Sequence, residues 1–370
     1  MSHDTHDASH DAPATDSARP NDADPLLRVE NLTTRFYTGD VVSAVDGISY
    51  DLAAGETLGI VGESGSGKSV SVQSLVGLVD SPGRIDEGSV YWKGRDLVAA
   101  SAADLRSVRG AEIAMVFQNA HAAFDPTYTV GEQLVEAVRS HRDLSKSAAR
   151  EEARDLLAEV GIPNPEANLD QYPHEYSGGM AQRAMIAMSL AGEPELLIAD
   201  EPTTGLDVSI QAQIIDLFRR LVRERDMSLI LISHDLGVIS QVCERILVMY
   251  GGRIAERGTR RQLLESPRHP YTRTFLDSIP DVDRKRDISS IPGSPPNLSD
   301  PPSGCRFHPR CPEAEAGLCD AAPAPTMDFG EGHTAACYAY TDEYDGPADF
   351  DREGVLAESS DPVTDGEVDR

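Results

Sequence analysis

The residues with the clearest chemical potential lie at 62–69. Gly62-Glu63-Ser64-Gly65-Ser66-Gly67-Lys68-Ser69 fits the spacing G-x-x-x-x-G-K-[ST] of a phosphate-binding loop. Glycines let backbone N–H groups turn inward and approach phosphate oxygens, and the helix that follows offers its positive N-terminus to the same anion. Lys68 can reach the outer phosphates, and the Ser69 hydroxyl is placed to ligate the accompanying magnesium. A Gly-rich turn without a ligand is the plainer alternative. It leaves unexplained why an apolar strand, Leu58 to Val61, runs straight into the loop and a helix runs out of it.

Two further stretches carry polar chemistry. Leu196-Leu197-Ile198-Ala199 is an apolar run ending in Asp200 and Glu201. At the carboxyl edge of a parallel sheet, beside a phosphate loop, one carboxylate can hold magnesium and the next can polarise an attacking water. Exposed acids at a strand end are the alternative for this pair alone. Ser177-Gly178-Gly179-Met180-Ala181-Gln182-Arg183 opens a helix, with Ser177 as its N-cap and two glycines that allow an anion close to the helix N–H groups.

Cys305, Cys311, Cys319 and Cys337 crowd into the last fifth of the chain. Their spacing is no C-x2-C zinc pattern. Four soft thiolates in a Pro-rich segment with little core suit an iron–sulfur cluster or a structural metal that staples the fold, with zinc and unliganded thiols as the alternatives. Cys243, on an apolar helix face, reads as core. His269 reads as a packing and capping residue rather than a ligand, and His3, His6 and His10 as part of a solvated tail.

Composition narrows the function further. In 370 residues there are 62 acidic against 33 basic side chains, a formal charge of -29, with Lys only at 68, 93, 146 and 285. Nothing there supplies the phosphate neutralisation that nucleic-acid binding needs, so no nucleic-acid partner is expected. Such a surface suits a protein kept soluble at high salt, hence a halophilic source. There is no run of about 18 apolar residues and no signal-peptide pattern, so the chain is expected neither to span a membrane nor to be secreted.

The elements that must position these groups follow from pattern. Residues 1–25 and 342–370 are acidic and poor in large apolar side chains, and should be disordered. Strands are expected at Leu27–Glu30, Val41–Leu52, 58–61, Ser89–Trp92, 112–117, Leu196–Ala199, Leu229–Ile232 and Arg245–Met249, with helices from the phosphate loop to about Val79 and over 209–225. Val130, Leu134, Val135 and Val138 share one helix face, as do Ala153, Leu156, Leu157 and Val160, giving a helical subdomain at about 119–180. Alternating β and α with short apolar strands implies an α/β fold on a mostly parallel, covered sheet over 26–266, followed by a small Cys-containing module at 267–341.

Together these stretches resemble the ATP-binding subunit of an ATP-binding-cassette (ABC) transporter, over roughly residues 27–260. The resemblance implies an ABC-type nucleotide-binding fold that binds ATP and Mg2+. It makes Glu201 the general base, Gln118 the sensor of magnesium, attacking water and membrane subunit, His234 the γ-phosphate contact, Asp207 a dimer contact, and Phe36, with Tyr37 as second choice, the adenine-stacking aromatic. The Ser177-Gly178-Gly179-Met180 stretch would face ATP held by a partner subunit. Met180 stands where Gln is commoner, and with Gln182-Arg183 it is similar to the oligopeptide and dipeptide importer branch. Glu265-Ser266-Pro267-Arg268-His269-Pro270-Tyr271-Thr272, Ile291-Pro292-Gly293-Ser294-Pro295-Pro296 and Cys305-Arg306-Phe307-His308-Pro309-Arg310-Cys311-Pro312 resemble that branch's C-terminal extension. Related extensions carry a [4Fe-4S] cluster, and nickel importers share parts of the pattern. The resemblance implies a second, homologous ATPase subunit, two membrane-spanning permease subunits and an external peptide-binding protein, with the chain peripheral on the cytoplasmic face of the membrane. A nickel or short-glycan importer is the alternative, then a soluble cassette ATPase. A P-loop kinase has no use for the Ser177 helix or His234.

Overall fold

The computed structural model describes residues 24–278 and 291–345. The expected acidic tails lie outside these residues, apart from 24–25 and 342–345. Two sheets organise the chain. In the first, β1 (Leu27–Tyr37) pairs antiparallel with β2 (Val41–Leu52) on one side and β4 (Gly83–Trp92) on the other, and β4 pairs with β5 (Arg95–Asp96). Only the ends of β1 and β4 are visible in the sequence. Register shifts between Val29 and Arg35, with Asn31 at φ 48, break the alternation by which a strand is recognised.

The second sheet has the parallel core that the short apolar runs imply. Its parallel part has the order β9 (Arg245–Tyr250), β3 (Thr57–Val61), β8 (Ser228–Ser233), β7 (Leu196–Asp200) and β6 (Ile113–Val116). Every residue of β3, β7 and β8 is buried, because one face packs against helices and the other against the first sheet together with Val72 and Leu75. α1 (Lys68–Leu75) follows β3, and α2 (Ala102–Val108) precedes β6. α1 stops earlier than its expected end near Val79, since Gly77 at φ 62 takes the left-handed conformation that ends helices.

The expected helical subdomain lies between β6 and β7: α3 (Ala120–Ala123), α4 (Val130–His141), α5 (Lys146–Glu159), α6 (Pro165–Asn168) and α7 (Gly178–Ser189). Thr129 and Glu132 form a capping box that starts α4, and Ser145 caps α5. Val130, Leu134, Val135 and Val138 pack against Ala153, Leu156, Leu157 and Val160 in one core, each aliphatic chain contributing about 1.5–3 kcal/mol on burial.

α8 (Val208–Arg225) joins β7 to β8, and α9 (Leu236–Val242) joins β8 to β9, where Cys243 is fully buried as the apolar face implies. β10 (Arg253–Thr259) returns antiparallel on β9 and leads through α10 (Arg260–Glu265) to α11 (Pro270–Asp277). The later chain extends the same sheet: β12 (Thr334–Ala336) pairs with β10, and β11 (Thr326–Asp328) with β12. Beneath that junction Glu256 is wholly buried, accepting from the Arg268 and His269 N–H groups, with His333 Nε2 at 2.8 Å. Phe307 is buried edge-on against Tyr250 and Tyr271.

Candidate active site

Gly62 to Gly67 form the turn from β3 into α1. Gly67 caps the helix in a left-handed conformation, φ 96, and a Cβ there would stand 2.1 Å from the Ala44 carbonyl oxygen, so only glycine fits. No side chain caps α1, so its first N–H groups are free to meet an anion. Ser66 Oγ, buried beside them, has no hydrogen-bond partner among the described residues, which also suits a phosphate oxygen. Lys68 is 4% exposed, and its Nζ donates to the Gly62 and Glu63 carbonyls at 2.9 and 3.1 Å. Burial lowers its pKa against the pull of Glu201, Asp200 and Glu63, which leaves a buried ammonium at the mouth of the loop that an anionic ligand would stabilise further.

The strand-end carboxylates divide by environment. Asp200 ends β7 in the interior, where its Oδ1 accepts from Ser69 Oγ at 2.9 Å, and desolvation raises its pKa. Burial of an unscreened carboxylate next to a hydroxyl is the donor set expected of a magnesium site. Glu201 is turned aside by a left-handed backbone, φ 46, a strained conformation for a non-glycine residue that clusters at functional sites. Its Oε2 accepts from Thr204 Oγ1 at 3.0 Å and Gln118 Nε2 at 3.2 Å, with His234 Nδ1 at 3.3 Å. Its other oxygen is 3.8 Å from Lys68 Nζ. Residues that follow four separate strands, β3, β6, β7 and β8, thus meet within one site.

The remaining residues singled out in the sequence stand elsewhere. Ser177 caps α7, accepting from the Met180 N–H at 3.3 Å; Gly178 and Gly179 form its first turn, and Met180 packs on the core. A Cβ at Gly178 would lie 3.5 Å from Leu206 and one at Gly179 2.8 Å from Ile210, and among the described residues no hydrogen bond joins this turn to the phosphate loop. Asp207 caps α8, accepting from the Ser209 and Ile210 N–H groups. Phe36 packs on Gly83, while Tyr37 donates to Asp86 at 2.6 Å under the Arg84 guanidinium, which lies 4.3 Å from its ring. Sequence reasoning missed Thr204, Tyr271 and Arg310. Tyr271 Oη accepts from the Glu63 N–H at 2.9 Å, and Arg310 forms a fork on the Glu63 carboxylate.

Cys305, Cys311, Cys319 and Cys337 line one small pocket, beside Phe307 and Tyr338. All are free thiols. Burial pushes Cys311 and Cys337 up to about 12 and raises Cys305. Backbone N–H groups point at each sulfur: those of Phe307 and His308 at Cys305, Glu313 at Cys311, Glu315 at Cys319 and Ala339 at Cys337. Among the described residues no group of three or more His, Cys, Asp or Glu side chains stands close enough to share one metal ion. His269 caps α11, as its place before Pro270 implies, its Nδ1 accepting from the Tyr271 N–H at 3.0 Å.

Comparison with known proteins agrees with this geometry. Residues 45–204 match the ABC transporter family, and residues 255–319 match the oligopeptide/dipeptide transporter C-terminal region. The dipeptide transport ATP-binding protein DppD of Bacillus subtilis is 48% identical over 85% of this chain and 94% of its own length. Its Escherichia coli namesake is 46% identical over 86% of this chain and 98% of its own. An ATP-binding cassette solved as a dimer in a post-hydrolysis state, bound to ADP and Pi, superposes with a TM-score of 0.58 at 26% identity, covering 64% of this chain and 99% of that one. The phosphate loop, the Glu201 cluster and these relatives together establish that the chain belongs to the ABC transporter family, as an ATP-binding subunit with the oligopeptide/dipeptide transporter C-terminal region.

Proposed function

We propose that the chain binds MgATP at residues 62–69 and hydrolyses it to energise an importer of di- or oligopeptides. The single observation that carries this is the meeting of Lys68, Ser69, Gln118, Asp200, Glu201 and His234 at the free N-terminus of α1. Lys68 exchanges its two loop carbonyls for outer phosphate oxygens. Ser69 and Asp200, with Gln118, would hold the magnesium, which would neutralise charge on the phosphates when bound. Glu201, fixed through Oε2 by Thr204, keeps Oε1 for an attacking water. That oxygen accepts the water's proton as the water attacks the γ-phosphorus and the bond to the ADP oxygen breaks. His234 contacts the γ-phosphate and Phe36 stacks on adenine. The Ser177, Gly178, Gly179 and Met180 turn serves ATP bound by a second, homologous subunit, with Asp207 at the contact. Two permease subunits and an external peptide-binding protein complete the transporter, with this chain peripheral on the cytoplasmic face. The dipeptide named for the relatives favours peptides over the nickel or short-glycan alternative. Reconstitution with its permease and receptor tests the reading: peptide-stimulated ATP hydrolysis is expected, and stimulation by nickel or glycan alone would replace the substrate.

The four C-terminal thiols, on this reading, hold a [4Fe-4S] cluster that staples a module short of apolar core. N–H groups aimed at each sulfur suit thiolate ligands, and the N–H donors offset the cost of burying them. A single zinc would draw its thiolates to about 2.3 Å from one centre, whereas a four-iron group takes them at its corners around a cavity. Protein purified without oxygen should contain iron and sulfide, and Cys311→Ser should lose both. Stoichiometric zinc, or an ordered module without metal, would overturn the cluster. The charge of -29 fits a high-salt setting, where screening reduces self-repulsion.

A further inference from the structure

Of the two arginines between Cys305 and Cys311, Arg310 turns onto the nucleotide loop and Arg306 onto Asp46 and Gly251 beside it. Arg310 places Nη1 at 2.6 Å and Nη2 at 3.0 Å from the two oxygens of Glu63, while its Nε donates to the Pro292 carbonyl. Both partners are withdrawn from water, at 6% and 19% side-chain exposure. The Glu63 N–H is held separately by the buried Tyr271 hydroxyl. Arg306 grips the far flank, donating to Asp46 and to the Gly251 carbonyl. The neighbouring Gly252 N–H donates to the Ser66 carbonyl at 2.9 Å.

Glu63 is an odd residue for a loop that receives a triphosphate. With Asp200 and Glu201 it makes three carboxylates acting on the one Lys68. Unpaired, it would repel the ligand; bound to a guanidinium fork, its charge is neutralised and its direction fixed. A simpler role for the contact is to anchor the C-terminal module, and that role predicts no effect of the Glu63 charge itself.

We propose that Arg310 and Tyr271 are positioning residues for the phosphate loop, and that Arg310 cancels the Glu63 carboxylate so that the C-terminal module sets the affinity of the cassette for ATP. The inference rests on MgATP binding at this loop. Titration of the full chain with MgATP tests it. Arg310→Ala should raise the Kd by about tenfold or more, because it strands a carboxylate beside the triphosphate. Adding Glu63→Gln should bring the Kd back to within about threefold of wild type, since the stranded charge is then gone. Arg310→Lys, which keeps the charge but loses the fork, should fall between. If Arg310→Ala does not fold, the comparison of Arg310→Lys with Arg310→Lys/Glu63→Gln carries the same test. An unchanged Kd in the arginine variant, or no recovery on removing the Glu63 charge, would overturn the proposal. Failure of the wild-type chain to bind MgATP would instead overturn the nucleotide reading beneath it.

Discussion

On Glu201 three donors converge on one carboxylate oxygen while the other is left toward Lys68, so the side chain has little freedom beyond the geometry it already holds. Replacing it by Gln keeps the shape and the Thr204 contact but removes the proton acceptor. Glu201→Gln should therefore bind MgATP as the wild type does and lose about 10²–10⁴-fold in turnover of the assembled transporter. Near-wild-type turnover, measured with a partner subunit that cannot hydrolyse ATP, would remove Glu201 from the role of base. Residue type and local spacing single out Lys68, Ser69, Asp200 and Glu201 in the sequence, and resemblance singles out His234; the structure brings all five side chains together. Tyr271 and Arg310 could be read in neither way, since they act on Glu63 across 208 and 247 residues, and no local pattern reports such a contact.

At the scale of elements, α11 shows how a short helix ties the later chain to the cassette. Its N-cap is His269, whose Nδ1 must be unprotonated to accept the Tyr271 N–H, and the same helix start places the Tyr271 hydroxyl on the phosphate loop. Burial lowers the His269 pKa to about 4, opposed by Glu256 and assisted by Arg273. Between its ordinary value of 6.5 and about 4 the unfolded chain binds the proton and the folded chain does not, so stability falls as pH falls through that window. The loss should approach about 3 kcal/mol by pH 4. Urea unfolding of the full chain at several pH values, beside His269→Asn, which retains a capping oxygen but does not titrate, isolates this contribution. Equal acid losses in the two proteins would exclude it. Helices α4 and α5 and the buried strands could be read from the sequence because one-sided or continuous apolar patterns reflect their burial directly. The bulged half of β1 and the three-residue β11 and β12 could not, for bulges erase alternation and strands so short are fixed by their pairing, β12 on β10 and β11 on β12.

At the scale of the whole molecule, the turn at Ser177–Met180 is built like an anion site but is hydrogen-bonded to no part of its own phosphate loop among the described residues. The related cassette solved with ADP and Pi is a dimer, which supplies the arrangement in which such a turn could meet a second nucleotide. Gly178 permits a cleaner test than Gly179, because a Cβ there meets Leu206 at an ordinary 3.5 Å whereas Gly179 would press on Ile210 at 2.8 Å. Gly178→Asp puts a carboxylate at the start of α7, where it favours the helix itself but would oppose the triphosphate of the partner across a closed interface. The variant chain alone should bind MgATP with a Kd within about twofold of wild type, since its own loop is untouched. ATP hydrolysis by the assembled transporter should fall by about 100-fold, with the decline borne by the site whose loop belongs to the partner. Loss of nucleotide binding by the isolated, folded variant would instead place this turn in the chain's own site and remove the need for a second subunit to complete it.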